Sequence, residues 1–320
     1  MSRPIQLIGL AVAFLPLSSA FAQTPQTSDL DALMARALQR REVDRRTLSD
    51  YVLDEVETFE VLGPGHAPLT RMRREYTWYV RDGIHVRSPL KFDGVPIPEA
   101  DRREYEEKWF HREQERRKHR AEREAKRESE GQPPKLGPAA LNEPRFVSES
   151  YFLDFKFEPG NYYLAGREPL DNHDVLRVDY YPTHLFNDDD TAKKTPRELR
   201  SKREQKEQQF EDDIERKMNK TAQVTLWVDP KENRIVKYTF DNVWLDFLPA
   251  AWLVRVDDLR ASMEMGQPFE GVWLPRNLAI HAGITLATGP LELGYRREFS
   301  RYRKADVTSK VSVPKPAVVR

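Results

Sequence analysis

The feature that most constrains the fold is a long stretch, residues 222–303, in which apolar and polar residues alternate. Alternation with a period of two is typical of a β-strand that buries one face. Turn-forming residues interrupt it at 229–233, at Pro249 and at Gly289-Pro290, and the alternation resumes after each. The stretch therefore predicts a ladder of antiparallel strands joined by hairpins, with one dry face.

Within this ladder the apolar row slips once, at Asp257-Asp258. Val254 and Val256 share one face of the predicted strand, but the row continues at Leu259. One extra residue in a strand is the signature of a β-bulge, so a bulge is expected here. The strands that follow alternate most regularly; their apolar rows are Leu278, Ile280, Ala282, Ile284 and Leu286, then Leu291, Leu293 and Tyr295.

A helix precedes the strands. Ser28 followed by Asp31 has the pattern of a capping box, and the apolar residues after it fall on one face at helical spacing. Such a helix needs an apolar surface to lie on, and the sheet is the only large candidate. Further strands are predicted at about 51–62, on both sides of Gly83, and between 151 and 181.

Two segments rich in charged residues predict solvated helices, near 98–130 and 195–220. Opposite charges stand four residues apart along the first segment, an arrangement that stabilises isolated helices. Only Tyr105, Trp109 and Phe110 could anchor that helix to a core. Both helices are expected as insertions into one domain.

The N-terminal residues predict export. Arg3, an apolar run and the small residues up to Ala22 form a signal peptide with cleavage after Ala22. The chain is therefore expected in the periplasm or outside the cell, with no transmembrane segment after signal cleavage. The expected organisation is a signal peptide at 1–22, one domain with its helical insertions at 23–304, and a C-terminal tail at 305–320.

Composition and motifs argue against several function classes. Lysine plus arginine and aspartate plus glutamate number 52 each, so no net charge attracts nucleic acid. His111, Glu115 and His119 are spaced four apart on a charged helix and are interpreted as a solvated face, not a metal site. No nucleophile elbow, phosphate loop or zinc-protease pair is present. We expect a protein that is not an enzyme and needs no cofactor or metal.

Aromatic residues indicate a possible ligand-binding surface. Trp227 lies out of phase with Val224, Leu226 and Val228, so large apolar groups are expected on both faces of the ladder. The first helix would cover one face, and a ligand or the inserted helices would cover the other. The candidate ligand-binding residues are Trp227, Trp244, Trp252, Trp273, Phe155 and Phe157.

Short motifs accompany this order of leading helix, meander and helical insertions. They are Leu226-Trp227-Val228-Asp229-Pro230, Arg234-Ile235-Val236, Val272-Trp273-Leu274-Pro275, Tyr302-Arg303 and Phe92-Asp93-Gly94-Val95-Pro96-Ile97-Pro98. Together they resemble the lipoprotein-localisation family, the periplasmic carriers of outer-membrane lipoproteins, and more closely uncharacterised exported bacterial proteins of that fold. The resemblance implies an α+β fold: a strongly curved antiparallel sheet, or half-barrel, with an N-terminal amphipathic helix and an apolar cavity for acyl chains under a helical lid.

The leading hypothesis is a periplasmic, non-enzymatic protein that binds a lipid, an acyl chain or a lipoprotein in an apolar concavity of the sheet, as an envelope carrier. The alternative is a cell-envelope interaction or scaffold protein that binds a protein partner through its charged helices. A third hypothesis, an envelope hydrolase, would need a nucleophile beside His173 or His281.

Overall fold

The structure is a computed structural model that describes residues 28–131, 143–151, 158–171, 173–181, 222–243 and 254–305. In these ranges the chain forms one eleven-stranded sheet, three α-helices and a 3-10 turn at Pro64–His66. The strands are β1 Tyr51–Leu62, β2 Pro68–Arg81, β3 Ile84–Phe92, β4 Val95–Pro96, β5 Tyr162–Leu170, β6 His173–Tyr180, β7 Ala222–Asp229, β8 Arg234–Val243, β9 Val254–Phe269, β10 Val272–Leu286 and β11 Gly289–Lys304. The helices are α1 Asp29–Leu48, α2 Glu99–Ser129 and α3 Arg145–Ser150.

Neighbouring strands of the sheet are antiparallel, in the order β4-β3-β2-β1-β11-β10-β9-β8-β7-β6-β5. The pair β1–β11 joins the first strands of the chain to the last: Phe59 lies opposite Tyr295, and Val61 opposite Leu293. Every other pair is consecutive in sequence. β4 and β5 remain at the edges, so the sheet is open. The predicted antiparallel ladder is confirmed, whereas the half-barrel curvature stays a prediction.

The bulge predicted at Asp257-Asp258 is present. In the β9–β10 pair Asp258 lies opposite Gly283, whereas Val256 lies opposite Ile284, so Asp257 is the extra residue. The Gly283 amide donates to Asp258 Oδ1 at 3.0 Å, and a side chain at position 283 would collide with that carboxylate. Glycine at position 283 therefore leaves room for the Asp258 carboxylate beside the bulge.

One face of the sheet, the inner face, forms the core. Residues directly opposite one another on antiparallel strands lie on the same face. One such row crosses from β6 to β10, and each of its members is buried: Val178, Leu226, Tyr238, Met263 and Leu278. The apolar alternation of the sequence thus packs into one dry layer.

α1 covers part of the inner face and begins as the sequence predicts. The Ser28 hydroxyl accepts a hydrogen bond from the Asp31 amide, and the Asp31 carboxylate accepts one from the Ser28 amide. Met34 and Ala37 are fully buried. The helix lies against β5, β8 and β10, so its apolar stripe meets the sheet.

α2 and α3 cover a second part of the inner face, over β2 and β3. Trp109 Nε1 donates to the His85 carbonyl at 3.1 Å, and its ring packs edge-on against Trp78 at 5.5 Å between centroids. Phe146 of α3 packs against Trp78 at 4.8 Å. Trp109 and Phe110 are both buried, so they anchor the charged helix as expected.

The strand expected to begin at Tyr151 does not begin there. Arg145–Ser150 is helical, and Tyr151 is the residue that ends the helix. The Tyr151 side chain is buried, with the Arg41 guanidinium 4.9 Å from its ring centroid. The aromatic side chain at position 151 is therefore explained by its burial beside α1 and not by its place in an alternating strand.

The opposite face, the outer face, is polar in the centre of the sheet. A row across β8, β9, β10, β11 and β1 consists of Asp241, Arg260, His281, Gly294 and Glu60, all at least partly exposed. The expectation of large apolar groups on both faces is wrong for these strands, because charged side chains alternate with the apolar residues of the inner face.

Several predicted segments lie outside the described residues. They include the signal peptide, the charged helix near 195–220 and the tail beyond residue 305. Within the described ranges, no helix is both long enough and apolar enough to cross a lipid bilayer.

Candidate functional site

The structure describes two of the predicted ligand-binding residues, and they occupy different environments. Trp273 is 5% exposed, with its ring 5.0 Å from the His173 ring and 5.4 Å from the Arg234 guanidinium carbon. Trp227 is partly buried and donates through Nε1 to Glu168 Oε1 at 2.5 Å. Both indoles thus contact the protein's own charged side chains. The predicted residues Trp244, Trp252, Phe155 and Phe157 lie outside the described ranges.

The inner face continues past the helices as an apolar surface. Cross-strand rows near the ends of β1, β9, β10 and β11 carry apolar or aromatic side chains, and all of these are partly exposed. α1 meets the sheet at its other end, where Arg36 Nε donates to Asn233 Oδ1 at 2.8 Å. We call this region the distal apolar surface. Its members are Phe59, Val61, Met72, Val256, Leu259, Ile280, Ala282, Ile284, Leu291, Leu293 and Tyr295.

Exposure changes abruptly along one strand. Leu278 of β10 is 3% exposed, whereas Ile280, Ala282 and Ile284 on the same side of that strand are all partly exposed. The strict alternation from Leu278 onward was the signal for this surface. The sequence instead predicts a ligand at the tryptophans. Alternation indicates that one face of a strand is apolar, but it does not indicate which end of that face the helices leave uncovered.

A buried ionic cluster borders the distal apolar surface. The Glu55 side chain has no exposure and accepts hydrogen bonds from Arg87 Nη2 at 2.6 Å, Arg297 Nε at 2.8 Å and Trp78 Nε1 at 2.8 Å. Burial favours the neutral acid, but Arg297 and Arg87 outweigh it and hold the pKa of Glu55 below its ordinary value. Glu55 is therefore ionised at neutral pH.

The same cluster ties the apolar surface to the helices. The Tyr295 hydroxyl donates to Glu57 Oε1 at 2.7 Å, and burial raises the pKa of Tyr295, so the hydroxyl keeps its proton. Arg297 Nη1 lies 2.6 Å from Glu149 Oε2 of α3. The cluster thus fastens α3 to the central strand β11, next to the apolar surface.

A second buried ion pair fastens α1 to the sheet. Arg234, which is 2% exposed, places Nη1 3.0 Å from both carboxylate oxygens of Asp44. Burial raises the pKa of Asp44 to about 6, against the opposing influence of Arg234 and Arg40. Burial also lowers the pKa of Arg234. Both shifts mean that desolvation of this pair outweighs its mutual attraction.

The histidines considered for a hydrolase have carboxylate neighbours. His173 Nδ1 lies 2.9 Å from Asp229 Oδ2, and His281 Nε2 lies 3.7 Å from Glu292 Oε2. In the part of the chain that the structure describes, no serine or threonine hydroxyl is hydrogen-bonded to either ring. That same part contains no group of three or more histidine or acidic residues placed to hold a metal ion. A hydrolase therefore gains no support from this geometry.

Comparison with known proteins finds solved structures that are similar to this chain at low sequence identity. No protein-family model matches the chain, and no curated protein matches it significantly. The chain is similar to a domain from Vibrio parahaemolyticus assigned to outer membrane lipoprotein sorting, at 11% identity and a TM-score of 0.30, over 87% of this chain and 95% of that one. It is also similar to a DUF1329 family protein from Desulfovibrio piger, at 10% identity and a TM-score of 0.29, over 89% and 96% of the two chains. TM-scores this low carry no argument about function.

Proposed function

We propose that the protein is a non-enzymatic binding protein that holds an acyl chain, from a free lipid or a lipoprotein, on the distal apolar surface. The observation that carries this proposal is the set of inward, in-register apolar side chains that stay partly exposed beyond the helices. A contiguous apolar surface of this kind is a common mark of a ligand or partner site. With the predicted signal peptide, the site of action would be the periplasm or the exterior.

The energetics of such binding require no cofactor. Burying one methylene of an acyl chain contributes about 0.8 kcal/mol. Loss of translational and rotational freedom costs an estimated 4–15 kcal/mol, so roughly a dozen buried methylenes would leave a useful net affinity. The neighbouring Tyr295–Glu57 and Arg297–Glu149 contacts would keep α3 in place beside the bound chain.

The test uses the full chain and a fluorescent long-chain fatty acid. Leu293→Asp places a carboxylate in the middle of the distal apolar surface, between Val61 and Ala282. We expect saturable binding by the wild type and a loss of affinity of about ten-fold or more in this variant, because an isolated charge is costly in an apolar site. Ala282→Phe, which fills the surface without adding charge, should also weaken binding.

Leu164→Asp is the matched control. Leu164 is 59% exposed on β5, an edge strand far across the sheet order from β11, so its replacement should leave fatty-acid affinity unchanged. Urea denaturation of all variants separates lost binding from lost folding. No saturable binding by the wild type, together with no lipid in an extract of the purified protein, would refute the proposal. Equal binding by Leu293→Asp and Leu164→Asp would refute the assigned surface.

A second candidate function is protein binding through the far part of α2. The buried residues of this helix end at Glu113, and most side chains beyond Arg117 are exposed. A helix of 31 residues is about 46 Å long at 1.5 Å per residue, so roughly its second half projects past the anchors Trp109 and Phe110. This exposed, mixed-charge end favours an envelope protein as the partner.

A further inference from the structure

The outer face holds a polar cavity that the proposed acyl-binding function does not use. Its volume is about 550 Å³, and its lining comes from six neighbouring strands, β8, β9, β10, β11, β1 and β2. Small-molecule sites commonly occupy about 300–1,000 Å³. The cavity therefore has the size of a site for a small polar molecule.

The floor of this cavity is one cross-strand row in which small residues flank Arg296. Thr239 lies opposite Ser262, Ser262 opposite Ala279, and on the far side of β11 Thr58 continues the same row. Gly294 lies on the same face of β11. Larger side chains at these positions would fill the space, so the hollow is a direct consequence of which residues lie opposite one another.

The walls are charged, and most of their charges are paired. Arg260 Nε lies 3.1 Å from Asp258 Oδ2 and 3.6 Å from Asp241 Oδ1. Arg71 Nε lies 3.4 Å from Glu60 Oε1. Because the charges within each pair offset one another, the walls present little net charge to a ligand.

Arg296 differs from the other arginines of the cavity. It lies in the floor row, opposite Ala279 on one side and Thr58 on the other, and it is exposed. Among the described residues no carboxylate lies within ion-pair distance of its guanidinium, although Glu298 is two residues along the same strand. A guanidinium offers five N–H donors that match a carboxylate or phosphate, and the hydroxyls of Thr58 and Ser262 add further donors.

We propose that this outer cavity binds a small polar molecule carrying one carboxylate or phosphate group, with the anionic group on Arg296. Glu298 and Glu60 at the lining oppose a second negative charge, so a carboxylate is preferred to a phosphate monoester, which carries close to two negative charges at neutral pH. The site is on the opposite face of the sheet from the distal apolar surface. It does not depend on acyl binding and can be tested apart from it.

The test is calorimetric titration of the full chain with glucuronate, inorganic phosphate and glucose at equal ionic strength. We expect glucuronate, phosphate or both to bind, and neutral glucose not to bind. Arg296→Gln should reduce anion affinity about ten-fold or more, since it removes the charge-assisted hydrogen bonds. Ser262→Trp should abolish binding by filling the floor while leaving the charges unchanged, and added salt should weaken binding by the wild type.

Arg167→Gln is the matched control, because Arg167 is an exposed arginine on the edge strand β5, paired with Asp174 at 2.8 Å. Its anion affinity should equal that of the wild type. Binding of glucuronate alone would indicate a carboxylate ligand, and binding of phosphate alone would indicate a phosphate ligand. The proposal is overturned if neither anion binds, if glucose binds as well as they do, or if Arg296→Gln binds like Arg167→Gln. Arg296→Gln should bind the fatty acid as the wild type does. A failure of anion binding can therefore be told apart from a failure of acyl binding on the inner face.

Discussion

Replacing Glu55 by glutamine tests whether the buried ionic cluster supports the fold beside the distal apolar surface. Glu55 is fully buried and accepts hydrogen bonds from Arg87, Arg297 and Trp78 at 2.6–2.8 Å. Glutamine keeps the shape but removes the charge, and its amide group directs N–H donors at guanidinium donors. Breaking a buried pair by removing one partner typically costs 3–5 kcal/mol, and here Arg87 and Arg297 keep only their second partners, Glu57 and Glu149. We expect a loss of about 4 kcal/mol in the free energy of unfolding.

Urea denaturation at neutral pH measures this loss as a lower midpoint at unchanged slope. A loss of that size is a large share of the 5–15 kcal/mol by which domains are usually stable. Glu104→Gln is the control, because Glu104 is exposed on α2 and its ion-pair partner among the described residues is Lys108 of the same helix. The midpoint of this variant should match that of the wild type. If Glu55→Gln unfolds at the same midpoint as Glu104→Gln, the reasoning about the cluster is wrong.

Two further predictions concern the helices. The raised pKa of Asp44 means that the folded protein binds that proton more tightly than the unfolded chain, so stability falls as pH rises from about 4 to about 6. Asp44→Asn lacks this loss. Between about pH 4.5 and pH 7 its free energy of unfolding should therefore rise by about 1 kcal/mol relative to that of the wild type, allowing for solvent screening. Parallel pH profiles of the two proteins would contradict the assignment. Shortening α2 after Arg117, which keeps Trp109 and Phe110, should leave the unfolding midpoint and fatty-acid binding unchanged while abolishing cross-links to an envelope protein. If full-length α2 forms no such cross-links, the second candidate function is excluded.

Local patterns in the sequence predicted local structure well. The slip at Asp257 and the Ser28–Asp31 pair are signals carried by neighbouring residues, and the bulge and the capping box that they predict are both present. The pairing of β1 with β11 could not be read in the same way, since it joins segments more than two hundred residues apart and alternation does not say which strands become neighbours.

The buried charges were the least predictable part of the candidate site. Arg297 and Glu55 occupy inward positions where alternation favours apolar residues, and they are stable there because they belong to one hydrogen-bonded ionic cluster. Asp44 and Arg234 likewise lie buried against each other, across 190 residues of sequence. Such pairs are visible only when the fold brings the two segments together, so the borders of the distal apolar surface required the structure.

The bulge at Asp257 links the two faces of the sheet. Because side chains alternate across a strand, a shift of one residue exchanges the faces. Val256 and Leu259 are three residues apart, and in a regular strand without a bulge they would lie on opposite faces. Asp257 places both on the distal apolar surface, while Arg260 stays on the outer face beside the polar cavity. One inserted residue, next to the Asp258–Gly283 pair, therefore keeps an apolar surface and a charged cavity back to back on the same strands.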